Sequence, residues 1–427
     1  MRTRSEKQFL IISFLAICML WCPAAAQTGV NSPYSRYGLG LLSDHSTGMT
    51  KSMGGIGTGF RERNTLNLKN PASYSSVDTL TFLADMGFRL QNTNFEENGV
   101  RLNARNAGVE HMAMQFRILP RVGMTLAFVP FSKIGYSFSS SRYIRRDEDG
   151  AITSTRSYSG SGGVRQYMAG LGWRPTNWLS AGINASYFRG DFEHYISNTY
   201  SVSSVQSRTK TYSADISDLK LDFGIQGTVK LGQDNLVLGL TYSPKQNLES
   251  EVTITDAHST TNTQSIENAY SLPDCFSAGF SYKRKNCIFA ADISYEAWSK
   301  ANLFIGVFDN EEEEWKGSDR ISAAAGFSIQ PDDMSKNLLK RTSYQAGVNL
   351  SQSYFKIGSN EGPWQFGVSA GFSMPITAVY NSMSYLNVSA EYVRTQPMSS
   401  GMITENCFRI NVGLTFLERW FMKIMVE

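Results

Sequence analysis

The stretch Cys407–Phe416, "CFRINVGLTF", alternates without a fault: Phe408, Ile410, Val412, Leu414 and Phe416 against Arg409, Asn411, Gly413 and Thr415. A period of two puts the two sets on opposite faces of an extended strand, one face wholly apolar and the other polar. The same pattern fills "LKLDFGIQGTVKL" (219–231), Leu80–Leu90, Leu236–Tyr242 and Ala181–Tyr187, and both arms of Leu272–Ser299. Beyond residue 26 there is no apolar run of eighteen residues, so a transmembrane helix is not what the chain encodes. The repeated apolar faces must meet either a second sheet or lipid.

The start of the chain bears on that choice. Arg2, Arg4 and Lys7 precede an apolar run from Phe9 to Trp21, and Ala24-Ala25-Ala26 supplies small residues before Gln27. This is the pattern of a secretory signal peptide over 1–26, leaving a mature chain of about 400 residues. Cys22 does not make a lipoprotein anchor, because bulky Trp21 stands where such a signal needs a small residue. The three remaining cysteines, Cys275, Cys287 and Cys407, lack the spacing of a disulfide framework.

Short turns ("RPTN" at 174–177, "GQDN" at 232–235, "KRKN" at 283–286) alternate with long polar connections at 92–107, 143–163, 192–215, 246–267 and 309–318. In an exported chain this predicts an outer-membrane β-barrel with tight periplasmic turns and long outer loops. Counting hairpins over 79–416 gives about fourteen antiparallel strands, with 417–427 as a periplasmic tail whose Arg419, Trp420 and Lys423 suit an interface. A secreted β-sandwich also alternates, but its outer faces are charged, whereas here aromatics (Tyr167, Trp173, Tyr242, Tyr282, Tyr295) fall near strand ends as interface girdles. Charged residues are only 18% of the chain and the net charge is +3 with no basic run, which excludes a nucleic-acid partner.

Residues 27–78 do not alternate. They are rich in Gly, Asn and Ser, and such a strandless stretch ahead of a wide barrel either hangs below it or fills it as a hatch or plug. Its glycines at 54, 55, 57 and 59 permit close backbone approach but form no nucleotide loop.

At this point the residues resemble the FadL/TodX-type outer-membrane transporters of hydrophobic compounds. "MGGIGTGF…NTLNLKNPASYSSVDTLTF" is similar to that family's glycine-rich hatch and Asn-Pro-Ala segment, here Asn70, Pro71 and Ala72. Leu272-Pro273-Asp274 through Tyr295 and Trp298-Ser299 is similar to its Leu-Pro-Asp/Glu hairpin. "SPYSRYGLG" and "FRINVGLTFLERWF" resemble the form found in Bacteroidetes-type bacteria.

The resemblance implies a Gram-negative outer-membrane barrel that passes long-chain fatty acids or other hydrophobic small molecules without energy input. Gly54, Gly55, Asn70, Pro71 and Ala72 would belong to the hatch and ligand path, with release sideways through a gap in the third strand. The third strand by count is "RVGMTLAFVPFSKIGY", so Pro130 is the gap candidate: it either breaks pairing with a neighbour or marks the strand's outer end. Outer-membrane lipid and lipopolysaccharide are the implied surroundings. The alternative function is a non-transporting accessory barrel of an outer-membrane protein secretion or assembly complex, its partners other membrane-complex subunits.

Asp85, Arg89, Arg117, Lys220, Asp222 and Lys230 all fall on the inward face, so the sequence predicts a polar lumen rather than a greasy tunnel. No catalytic motif is present, which reads as a non-enzyme without cofactor. His45, His111, His194 and His258 lack metal-ligand spacing. His194 near Asp191 reads as a charged rim. The run Asp309–Glu314 reads as a solvated loop, with a divalent cation bridging to polysaccharide as the alternative.

Overall fold

The computed structural model describes residues 30–419, apart from 80, 148–149, 203–204, 258–260, 305–314, 332–334, 336, 379–381 and 400–401. The signal-peptide stretch, residues 420–427 of the tail and the acidic run Asp309–Glu314 lie outside the described residues.

The wall is built from β1 (Thr81–Glu97), β2 (Val100–Leu119), β3 (Val122–Pro130), β4 (Ser132–Asp147), β5 (Gly150–Trp173), β6 (Leu179–Tyr200), β7 (Arg208–Leu231) and β8 (Asp234–Ser243). It continues with β9 (Cys275–Arg284), β10 (Cys287–Glu296), β11 (Arg320–Ile329), β12 (Ser343–Gln352), β13 (Trp364–Ala378), β14 (Ser382–Gln396) and β15 (Thr404–Arg419). Each pairs antiparallel with the next, except that β3 and β4 both pair with β5, and β1 pairs with β15 from Thr81↔Arg419 to Glu96↔Thr404. With β3 and β4 as two halves of one stave, this is a closed barrel of fourteen strands.

The outward side chains answer the question of what the apolar faces meet. Leu90, Leu171, Leu219, Ile225, Leu238, Leu240, Phe276, Ile293 and Val368 are all exposed in the isolated chain. A belt of large apolar side chains facing outward over so many strands is the lipid-contacting face of a membrane barrel. Trp173 and Trp178 flank the short turn at 174–177, and Tyr242 and Tyr295 stand towards the opposite end.

Three segments that read as long loops, 92–107, 143–163 and 192–215, are largely ladder. The β1–β2 ladder runs to Glu97↔Val100 around Asn98-Gly99, both at positive φ (47° and 81°). The β5–β6 ladder continues to Ser154↔Tyr200. These strands climb beyond the lipid belt, where the outward face no longer needs apolar residues, so the hydrophobic period fades while the hydrogen-bonded ladder persists. Most of 246–267 is a hairpin, Ser250–Ala257 with Thr261–Glu267, laid on the end of β7.

Residues 30–78 carry little regular structure: a 3-10 turn at Pro33–Arg36, the two-residue strand Leu41–Leu42, the helix α1 (Gly48–Ser52) and a 3-10 turn at Pro71–Ser76. α1 packs on β12, β13, β14 and β15, while the turn at Pro71–Ser76 packs on β3, β5, β6 and β7. Contacts of one segment on opposite sides of a closed ring place it within the space the strands enclose.

Candidate functional site

Two features of the interior define the site: the way the N-terminal segment is seated, and a break in the third stave beside it.

The seat is a ledge of glycines. Gly123, Gly172, Gly182 and Gly224 are direct cross-strand neighbours on β3, β5, β6 and β7. Each stands where the strand period turns a side chain inward, and a missing side chain there lets backbone lie on backbone. A β-carbon at Gly182 would fall 2.3 Å from the carbonyl carbon of Pro71, and one at Gly224 would fall 2.1 Å from Asn70 Oδ1. The ledge continues with Gly239↔Gly279 beneath Thr58 and Gly59, and with Gly326↔Gly347 beneath Met53 and Gly54.

The sequence-named residues lie along this seat. Gly54 and Gly55 follow α1 at φ 73° and 83°, and a side chain on Gly54 would meet the Val348 carbonyl. Asn70 caps the turn of Pro71 and Ala72, its Oδ1 accepting the Ala72 N–H at 3.0 Å. Its Nδ2 donates to the Thr58 carbonyl at 2.8 Å. Gly54, Asn70, Pro71 and Ala72 thus lie with their backbone or side chain against the wall, whereas Gly55 faces Asp44 of its own segment. The residue that most directly locks the segment is Asp292 of β10, whose Oδ2 accepts N–H bonds from Gly57 at 2.6 Å and Thr58 at 2.8 Å. Successive backbone N–H groups converging on one carboxylate form an anion nest, and the bonds are charge-assisted.

The break falls at Phe131. β3 pairs with β2 only from Leu119↔Val122 to Met112↔Phe128, and β4 does not pair with β2 at all. Phe131 donates its N–H to Val164 of β5 at 2.8 Å, so the nitrogen of Pro130, one residue back on extended chain, faces β2. Proline has no N–H to give there. Pro130 is the last residue of β3, and the interruption it marks lies in mid-stave. On β5, Gly162 and Gly163 sit opposite at φ 116° and 142°, a conformation that lets the partner strand follow the bend. From here upward the edge of β2 carries no second strand. The edge of β4 is met by the N-terminal segment: Leu41↔Lys133 and Leu42↔Ser132 pair, and Ser35 Oγ bridges Gly135 N and O at 3.1 Å.

Ions fill the inner side of this seam. Glu110 lies at a register shift in β2, between Gly87↔His111 and Phe88↔Val109. Its carboxylate meets Lys51 Nζ of α1 at 3.1 Å, Arg89 of β1 at 2.5 Å and Lys133 Nζ of β4 at 3.3 Å. Behind it, Asp44 pairs with Lys69 at 2.7 Å; burial raises its carboxyl, but Lys69 and Lys51 more than offset this and hold it far below the usual range. The cavity here is about 370 Å³, lined by seven cationic residues (Lys51, Lys69, Arg89, Lys133, Lys220, Arg320, Arg409) and five anionic ones (Asp44, Asp222, Asp292, Glu296, Glu391).

Above the cavity, Tyr34, Tyr37, Leu39, Trp298, Trp315 and Tyr354 form a dry core with the upper ends of the strands. Tyr354 Oη shares its single O–H between the carbonyls of Tyr37 at 2.8 Å and Gly40 at 2.7 Å, and Tyr34 Oη donates to the Ile403 carbonyl at 2.6 Å. Of the remaining candidates, His194 is buried against the Tyr136 hydroxyl at 2.7 Å rather than beside Asp191. His111 pairs with Asp85. Among the described residues no three His, Cys, Asp or Glu side chains gather as metal ligands.

Solved barrels share this architecture. A monoaromatic hydrocarbon channel, CymD, is 14% identical, covering 90% of this chain and 99% of its own, with a TM-score of 0.56. The toluene transporter TodX of Pseudomonas putida is 14% identical, covering 89% and 100%, at 0.55. A FadL homologue from Pseudomonas aeruginosa is 10% identical, covering 90% and 100%, at 0.57. At such identities the likeness is one of fold. No curated protein matches the sequence. A family model described as BamG matches residues 7–427, nearly the whole chain, and the chain therefore belongs to the BamG family.

Proposed function

We propose that this chain is a non-transporting accessory barrel of the outer membrane, a subunit that holds partners in a protein secretion or assembly complex. The observation that carries the reading is the charged, tightly seated interior. An apolar ligand gains roughly 25 cal/mol for each Å² it removes from water, and only an apolar path returns that gain. Here the space beside the seam is lined by twelve charged groups, most of them paired. Parting those ions to pass a hydrocarbon costs several kcal/mol for each charge left alone. The N-terminal segment acts in this reading as a fixed plug that braces the wall, and the tall strands and their turns are the surfaces for partners. The test is affinity purification of the tagged full-length protein from membranes. Recovery of a stoichiometric membrane complex supports the reading, and recovery of the barrel alone overturns it.

The second reading is a passive channel for hydrophobic compounds. The break at Pro130–Phe131 favours it, as does the likeness in fold to barrels described as hydrocarbon channels and transporters. Long-chain fatty acids as cargo, a shift of the plug and lateral release between β2 and β4 are its finer terms. Uptake of a labelled long-chain fatty acid and of toluene, compared between a deletion strain and its complement, decides it. Equal uptake retires the channel.

A further inference from the structure

The end of the barrel that carries the short turns opens into a mouth of about 990 Å³, and its charge is one-sided. Arg61 and Arg63 of the N-terminal segment, Arg174 of the β5–β6 turn, and Lys230, Lys283 and Lys285 all line it. Its three carboxylates are already engaged. Glu62 pairs with Lys283 at 2.9 Å, Asp78 with Arg63 at 3.6 Å, and Asp85 meets His111 and Thr415. Arg61, Arg174, Lys230 and Lys285 have no carboxylate partner among the described residues.

Two further arginines add to the excess. Arg117 of β2 donates to Thr79 at 2.5 Å, and Arg121 of the β2–β3 turn to the Pro175 carbonyl at 3.0 Å, so neither is neutralised. The Nε atoms of Arg117 and Arg174 are buried without a hydrogen-bond partner. Burial, and then the neighbouring Arg117, Arg121 and Arg63, lower the pKa of Arg174, while burial and Arg174 bring Arg61 down to about 10. Like charges gathered this closely repel, and an arriving anion relieves them. A guanidinium with free N–H groups takes a carboxylate in bidentate fashion.

We propose that this mouth is the docking site for an acidic, Asp- and Glu-rich segment of a periplasmic partner protein. The inference rests on the accessory-barrel reading and names the chemistry of one partner. A peptide fits better than a lipid headgroup because the cations face the enclosed mouth, not the lipid belt. Arg61 donates inward to the Ala72 carbonyl and Ser75 Oγ, both at 2.9 Å, whereas the lipid-facing positions beside the β5–β6 turn of Arg174 are held by Trp173 and Trp178. An acyl chain anchored in the membrane cannot follow its headgroup there.

The experiment uses full-length protein in nanodiscs of zwitterionic lipid and a fluorescein-labelled poly-glutamate peptide, read by fluorescence anisotropy. Binding should weaken as salt rises, and R174E and K230E should each weaken it about tenfold. R174K should retain most of it, and R101E, at the far turn beside Glu96, should leave it unchanged. K285E, in an exposed turn, repeats the charge reversal should either of the first two fail to fold. Equal binding by wild type and the folded reversal variants overturns the proposal. So does displacement of the peptide by phosphatidylglycerol vesicles, which would assign the site to a headgroup. Loss of peptide binding in variants that still co-purify a membrane complex would leave the accessory reading standing and show the acidic contact to be one of several. A wild-type protein that binds no peptide but recovers the complex retires the acidic segment alone.

Discussion

The Asp292 carboxylate on β10 accepts the Gly57 N–H of the N-terminal segment at 2.6 Å, a bond between residues 235 positions apart. Thr58 adds a second at 2.8 Å. Asp292→Asn keeps the size but replaces one acceptor with a donor that faces N–H groups. The loss of two charge-assisted bonds should cost about 1.5–3 kcal/mol of seating energy. Limited proteolysis of purified barrels should then cut within 44–60 faster than in wild type, with the wall intact. Unchanged cleavage would mean that the glycine ledge alone retains the segment.

The ledge makes a sharper prediction. Gly182 has Pro71 backbone at 2.3 Å from where a β-carbon would sit, and the obstacle is main chain rather than a flexible tip. Gly182→Val should unseat the Pro71–Ser76 turn outright, because overpacking at a rigid contact costs 1–3 kcal/mol or more. Gly227 lies on the same sheet with open space around it, so Gly227→Ala should be silent. Hydrogen exchange across 57–76 distinguishes the pair.

How much of this was legible beforehand depended on which face of the wall a residue serves. Outward residues such as Phe408, Ile410 and Val412 must be apolar for lipid, so their period announced both the strands and the barrel. The inward face obeys no such rule, and there the decisive residues hid. Gly182, Gly224, Gly239, Gly279, Gly326 and Gly347 recur at the inward position of six strands, interrupted only at β10, where Asp292 stands opposite Gly279; the signal is visible in "SAGINA", "DFGIQG", "LGLTY", "AGFSY", "AAGFS" and "QAGVNL". Taken strand by strand they look like ordinary turn-prone glycines, and only the register aligns them. Asp292 was invisible for a similar reason, since its partners lie over two hundred residues away. The Asn98-Gly99 hairpin within 92–107 was legible from the dipeptide itself. So was the Gly162-Gly163 pair, which marks the bend opposite Pro130.

Glu110 is the hub of the seam, with Lys51, Arg89 and Lys133 around it and only 8% of its side chain exposed. Removing the anion leaves three cations facing one another. Glu110→Gln should therefore lower barrel stability by about 3–5 kcal/mol, the cost of a buried charge that loses its partner. Thermal unfolding in detergent should show it, with faster hydrogen exchange along 100–109 and 132–136. The double substitution Glu110→Gln with Lys133→Met should recover part of the loss. No recovery would mean that Glu110 acts through the bulge in β2 and not through its charge.

Pro130→Val separates the two functional readings at one residue. Valine restores an N–H facing β2, but the opposed stretch of β2 is bulged at Glu110, so the ladder does not close. As an accessory barrel the protein should keep its complex yield and show no change in hydrophobic uptake. A fall in toluene or fatty-acid uptake of severalfold, with the barrel still folded, would instead establish the seam as an exit.

His45 gives the N-terminal segment a pH signature. It belongs to the N-terminal segment rather than to the wall, its Nε2 has no hydrogen-bond partner, and burial followed by Lys220 lowers its pKa to about 4. An unfolded histidine titrates near 6.5, so between about 4 and 6.5 the folded protein binds fewer protons than the unfolded one. Stability is thus fully present above pH 6.5 and falls as pH drops through the folded value, by up to about 3 kcal/mol. Asp44 hardly enters this window, because a lowered carboxylate loses its contribution only as pH falls below the unfolded value, about 3.9. Proteolysis at 44–60 should accelerate between pH 6.5 and 4 in wild type and stay level in His45→Gln. An equal acceleration in His45→Gln would assign the effect to the carboxylates of the wall.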